Sequence, residues 1–158
     1  MKSLKKDFNF WDSYHFDFLS SIRNKTEQWS GPDCLENLKK VQNDSKLITY
    51  SKDEFVYKRN SHGFRSEEFD NSDPIKILYA GCSLTEGVGL PLGHTWAGFM
   101  NQFIGADLGK RVKMYNIGHG GFSIEAIIRF TYITIAQGIF KPDIVFLLLP
   151  SITRNEIL

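Results

Sequence analysis

Three short apolar runs constrain this chain more than any other feature. Residues 75–80 (Ile-Lys-Ile-Leu-Tyr-Ala), 112–117 (Val-Lys-Met-Tyr-Asn-Ile) and 144–149 (Ile-Val-Phe-Leu-Leu-Leu) each run into a turn former, Gly81, Gly118 and Pro150. Runs of this length suit buried strands and fall far short of the roughly 20 residues a membrane-spanning helix needs. Segments of helical length separate them. Thr95 is placed to cap one whose apolar positions are Trp96, Phe99, Met100, Phe103 and Ile104. Ser123 is placed to cap another with Ile124, Ile127, Ile128 and Ile135 on its buried face, stopping near Gly138. Strand–helix–strand–helix–strand predicts an α/β fold: a parallel sheet with strands at 75–80, 112–117 and 143–149, covered on both faces by helices near 94–108 and 123–137. Such sheets bind ligands beyond the carboxyl ends of their strands, so the informative residues should follow Ala80, Ile117 and Leu149.

Upstream of residue 74 the composition shifts toward Lys, Asn, Asp, Ser and aromatics. Trp11, Tyr14, His15, Phe18, Leu19 and Ile22 keep helical spacing and predict one amphipathic helix, with His15 structural. Gly31-Pro32-Asp33 ends it, and Leu35, Leu38 and Val41 allow a short second helix. Residues 47–50 and 55–58 read as two short strands around Ser51-Lys52-Asp53. Residues 1–73 thus read as an α+β extension too polar to hold a core alone, and 74–158 as the main domain. The extension is expected to lay Trp11, Tyr14, Phe18 and Ile22 on that domain or on a partner chain.

Composition removes several function classes. With 42% hydrophobic residues and only two cysteines among 158 residues, the chain is neither disordered nor a disulfide scaffold. A formal net charge of +1 gives no basic field, so no nucleic-acid partner is expected. Cys34 and Cys82 form no metal-ligand spacing, and two thiols are compatible with a reducing compartment. The basic start, Met1-Lys2-Ser3-Leu4-Lys5-Lys6, is followed by charges rather than an apolar stretch, so neither a signal peptide nor a membrane span is expected. Cytoplasmic residence is the default expectation.

The chemistry-bearing residues follow the strands. After the first comes Gly81-Cys82-Ser83-Leu84-Thr85-Glu86-Gly87. A serine at a strand-to-helix turn exposes its hydroxyl near free backbone N–H groups, the material of an oxyanion hole. The plainer reading is that Ser83 caps a helix. After the second strand comes Asn116-Ile117-Gly118-His119-Gly120-Gly121-Phe122-Ser123, where glycines let the backbone approach a ligand, or simply connect strand to helix. Neither a phosphate loop nor a dinucleotide loop is in register.

Together these segments resemble the SGNH/GDSL hydrolases. Ile-Leu-Tyr-Ala-Gly-Cys-Ser-Leu-Thr-Glu-Gly is similar to that family's first block, Tyr-Asn-Ile-Gly-His-Gly-Gly-Phe-Ser to its second, and Lys-Pro-Asp-Ile-Val-Phe-Leu-Leu-Leu to the strand before its third. Tyr-Lys-Arg-Asn-Ser-His-Gly-Phe-Arg-Ser-Glu-Glu-Phe resembles a lead-in of bacterial and phage members, so the likeness spans residues 56 to about 156. It implies a three-layer α/β/α sandwich with a flavodoxin-like sheet. It implies a serine esterase or acylhydrolase acting on a small-molecule or glycan ester without metal or cofactor. Ser83 would be the nucleophile, and its own N–H and that of Gly121 the oxyanion donors.

The pattern departs from the family in three places. Cys82 stands where the family usually has Asp, and reads as a small buried hydrophobe rather than a thiol nucleophile. The third block is replaced by Pro150-Ser151-Ile152-Thr153-Arg154-Asn155-Glu156, where Arg154 or Asn155 would have to substitute. The family's Asp-x-x-His base block lies well downstream of the third strand, and nothing after that strand matches it here, so the sheet is expected to be incomplete at its C-terminal end and the base missing. A fragment, a decayed member and a part completed by a partner or oligomer over the sheet edge are the three readings. His94 and His119, with Asn116, are the remaining neighbours of the expected crevice; His62, in the lead-in, has no evident partner. The rival to an enzyme is a non-catalytic SGNH-like binding or structural module, for example in a virion.

Overall fold

A computed structural model describes residues 17–28, 56–72 and 75–152, with the single positions 39 and 43. Helix α1 (Asp17–Ser20) precedes an antiparallel pair, β1 (Thr26–Gln28) and β2 (Val56–Lys58). Then come β3 (Lys76–Gly81), α2 (Ser83–Glu86), a 3-10 turn (Leu92–His94), α3 (Trp96–Leu108), β4 (Lys113–Asn116), α4 (Ile124–Ala136) and β5 (Ile144–Leu148). Strands β4, β3 and β5 form one parallel sheet in that order. Tyr79 stands opposite Asn116 on one side and Phe146 on the other.

The two-residue alternation of β3 splits the interior into two layers. Leu78 and Ala80 share a cluster with Ala126, Ile127 and Phe130 of α4, and with Leu19 and Phe64 from the upstream segments. Ile77 and Tyr79 face the opposite way, against Trp96, Ala97 and Ile104 of α3. Helices therefore cover opposite faces of β3, giving the expected α/β/α layering. Thr95 and Ser123 cap the two helices, their hydroxyls accepting from the Gly98 and Ala126 N–H groups.

Four expectations are corrected. Phe99, Met100 and Phe103 of α3 face outward, Phe103 with 70% exposure. Trp96 and Ile104 do pack inward as expected, and Ala97 and Asn101 complete the inward stripe, the small Ala97 letting the helix approach the sheet. On α4, Ile128 and Ile135 are exposed while Thr131 and Thr134 are buried. Their hydroxyls donate to the Ile127 and Phe130 carbonyls at 2.7 Å, so these threonines enter the core without an unsatisfied group. Strand β5 is only partly covered, short of the cover on both faces and in line with the expected gap at the C-terminal end of the sheet: Phe146 packs on the α3 side, while Val145 and Leu147 are exposed where α4 lies over β3 and β4. The upstream helix stops at Ser20 rather than near Gly31: Asn24 turns with φ 56, and the chain enters β1, which pairs with β2. Asn24 and Arg59 fix that turn, donating their amides to the Asn60 and Lys25 carbonyls.

Trp11, Tyr14, His15, Cys34, the 35–41 helix save position 39, the 47–50 strand, Arg154 and Asn155 lie outside the described residues, as does the Phe18 side chain. Among the described residues no helix is long and apolar enough to cross a membrane. Nor does any cluster of three or more His, Cys, Asp or Glu among them offer a metal site.

Candidate active site around Ser83

The carboxyl end of β3 delivers Ser83. Cys82 is the N-cap of α2 and is buried, a free thiol packed in the core with Ala80 and Ile117. Ser83 is thus the first residue of the helix and not its cap. It is half-buried, and its hydroxyl has no hydrogen-bond partner among the described residues. Its carbonyl accepts from the Gly87 and Val88 amides, which closes the short helix. A serine at this place leaves its hydroxyl and the first helical N–H groups directed away from the sheet end.

The loop after β4 lies against this turn. Asn116 is fully buried and acts as a clamp: its side-chain amide donates to the Thr85 carbonyl at 2.6 Å, and its Oδ1 accepts from the Gly118 N–H at 2.7 Å. Gly118 must be glycine, since a Cβ there would stand 2.4 Å from the Glu86 backbone nitrogen. Gly120 sits beside Ser83, the position of a Cβ on it being 4.0 Å from the Ser83 Cβ. Gly121 has φ +87, is exposed, and its N–H is engaged by no described residue. The two strand ends thus bring Ser83 and the 118–121 loop together.

The histidines are placed differently. His119 is tied into the loop: its N–H donates to the Gly81 carbonyl, and its ring stacks on Phe122 at 5.0 Å. Its Nδ1 lies 2.8 Å from the Gly120 carbonyl; a carbonyl only accepts, so Nδ1 carries the proton. His94 is exposed on the 3-10 turn and stacks on Phe99. His62 packs against Phe69, where burial pushes its pKa down. None of them hydrogen-bonds the Ser83 hydroxyl.

The sequence reading missed the group behind Ser83. Glu86, the last residue of α2, is buried and pairs through Oε1 with Arg59 Nη2 at 2.7 Å. Its Oε2 accepts the Gly120 N–H at 2.6 Å. Arg65 donates to the carbonyls of Glu86, Gly87 and Leu90, and its guanidinium lies 3.9 Å over the Tyr57 ring. Tyr57 accepts the Gly89 N–H at 2.7 Å. Burial lowers the pKa of Arg65 and raises that of Tyr57. The available signal was Tyr57, Arg59 and Arg65 set close together in the segment that leads into the main domain, since a guanidinium drawn into an interior needs partners. On the other face of the sheet, burial pushes the Tyr79 phenol up to about 12, and its hydroxyl has no partner among the described residues.

No protein-family model and no curated protein sequence matches this chain. Among solved structures it is similar to AlinE4, an SGNH-hydrolase family esterase, at 21% identity and a TM-score of 0.42, over 51% of this chain and 42% of that one. Two mutants of AlinE4 match alike, at 20–21% identity and TM-scores of 0.42 and 0.43. The chain therefore spans less than half the length of the structures it matches.

Proposed function

We propose that this chain carries the nucleophile and oxyanion hole of an SGNH-type serine esterase or acylhydrolase. The observation that carries the reading is the convergence of a half-buried Ser83 hydroxyl with a glycine loop that presents the Gly121 N–H, neither group having a partner among the described residues. In this reading Ser83 Oγ attacks an ester carbonyl, and the amides of Ser83 and Gly121 receive the developing oxyanion. The alcohol leaves, and water releases the acyl group from serine. The ester is a small molecule or an acylated sugar. No described base bonds Ser83, and a positioned base contributes about 10²–10⁴-fold, so the 158-residue chain is expected to turn over slowly.

The test is p-nitrophenyl acetate hydrolysis by the chain and by Ser83→Ala, His119→Ala and His94→Ala. A slow rate that Ser83→Ala reduces to the buffer value, with both histidine variants within about twofold of the parent, is the expected result. Brisk hydrolysis lost equally in Ser83→Ala and His119→Ala would make His119 the base. A rate unchanged by Ser83→Ala ends the hydrolase reading. The second reading is a binding or structural module whose partner covers β5, favoured by the exposed apolar residues of that strand.

A further inference from the structure

The ion pair between Arg59 and Glu86 is buried, yet neither residue belongs to the proposed oxyanion hole. Glu86 lies three residues after Ser83 on the same four-residue helix, so any motion of its carboxylate is tied to the nucleophile's backbone. One carboxylate oxygen takes Arg59, and the other takes the Gly120 N–H. That amide precedes Gly121, whose φ of +87 and open surroundings leave it little steric restraint of its own.

We propose that Glu86 is a positioning residue: held by Arg59, its carboxylate fixes the Gly120 amide and thereby sets the Gly121 N–H against Ser83. The inference rests on the hydrolase reading for its catalytic consequence, but its geometry is testable without activity. Charge-assisted bonds of 2.6 and 2.7 Å on the two oxygens of one carboxylate form a rigid bracket between lead-in, helix and loop. Arg59 supplies the fixed charge, and Arg65, on the Glu86 and Gly87 carbonyls, holds the helix end that carries it. Sequence separation shows the bracket's span: residue 59 reaches residue 86, which reaches residue 120.

The experiment uses amide NMR and p-nitrophenyl acetate kinetics on the whole chain. In Glu86→Gln one side-chain oxygen becomes an NH2 group, which must face either the Arg59 guanidinium or the Gly120 N–H, donor against donor. The expected result is movement of both the Gly120 and Gly121 amide resonances. If Ser83-dependent turnover is present, kcat should fall about tenfold with KM unchanged, part of what loss of a whole oxyanion donor removes. Because this variant leaves a buried charge unpaired and can fail to fold, the double variant Arg59→Met with Glu86→Gln is its partner. With the guanidinium gone, the Gln oxygen is free to accept from Gly120, and the Gly121 resonance and kcat should return toward the parent. Gly121 resonances unmoved in folded Glu86→Gln, or moved equally in the double variant, overturn the proposal. Resonances that move and are rescued while Ser83→Ala leaves hydrolysis unchanged support the bracket and sink the hydrolase reading alone.

Discussion

Strands β3 (Lys-Ile-Leu-Tyr-Ala-Gly) and β5 (Ile-Val-Phe-Leu-Leu) are paired neighbours, the second the more apolar, and meet opposite fates. Ile77, Leu78 and Tyr79 of β3 have no exposure at all, whereas Val145 and Leu147 of β5 are 37% and 46% exposed. The register sets Leu78 beside Val145 and Ala80 beside Leu147 on the α4 face, so the difference does not come from strand direction or pairing. It comes from the layers: α3 and α4 close over β3 and β4, and β5 is left at the open side. Apolar sequence states what a strand requires, but only the neighbouring elements decide what it receives. The same contrast separates the two sides of Ser83. Its β4 side is packed by Asn116, Gly118 and Glu86. At the β5 side, Leu148 and Leu149 carry the sheet end into exposed loop residues.

Paired truncations give the largest expected effect. Leu78→Ala removes a fully buried side chain from the main cluster and should lower unfolding stability by about 2–5 kcal/mol. Leu147→Ala removes one already about half in water and should cost only about 1 kcal/mol. Denaturant melts with a common slope measure both. Equal losses would show that β5 is as enclosed as β3 and would break the comparison.

An intermediate effect is expected from the caps, because both helices they begin lean on β3. Thr95→Ala and Ser123→Ala each remove a hydroxyl that accepts a first-turn amide and should cost about 1 kcal/mol. Hydrogen exchange should then speed most in β3 and the affected helix, with β5 changed least. A cap loss felt first in β5 would mean that the helices reach farther across the sheet than their packing indicates.

These contrasts also mark what the sequence could disclose. The three strands were legible because continuous apolar runs bounded by Gly81, Gly118 and Pro150 have few other readings. Helix starts were legible because Thr95 and Ser123 precede helical periodicity. The buried face of α3 was legible only at Trp96 and Ile104, since Phe99, Met100 and Phe103 mark a helical stripe as well as Trp96, Ala97, Asn101 and Ile104 do. Hydrophobicity favours the first stripe and close approach to a sheet favours the second; approach won. At the site, the Ser83 turn and the glycine loop were legible from their places after two strands. The Arg59–Glu86 pair was not, because it joins residues 27 apart that only the finished fold brings together.

The smallest effect concerns the latch that starts β5. The Asp143 amide donates to the Lys76 carbonyl at 2.8 Å, and the Lys76 amide donates to Asp143 Oδ2 at 2.8 Å, with the Lys76 ammonium 3.3 Å from the same oxygen. The backbone hydrogen bond from Lys76, then the bond from its side chain, hold the Asp143 carboxyl below its ordinary value of 3.8. A carboxyl depressed in the folded state binds fewer protons there than when released. Its contribution is therefore fully present above pH 3.8 and fades as pH falls through the lower folded value. Asp70 and Glu125 are depressed as well, so a global acid melt cannot isolate the latch. Exchange protection factors at single amides can. From pH 5 to 3, protection in β5 should fall more steeply than in β3, and Asp143→Asn should make β5 weaker at pH 5 while flattening its acid response. An unchanged acid response in Asp143→Asn would show that β5 is held by the sheet alone, and the open strand would then differ from the closed one in burial but not in how it is fastened.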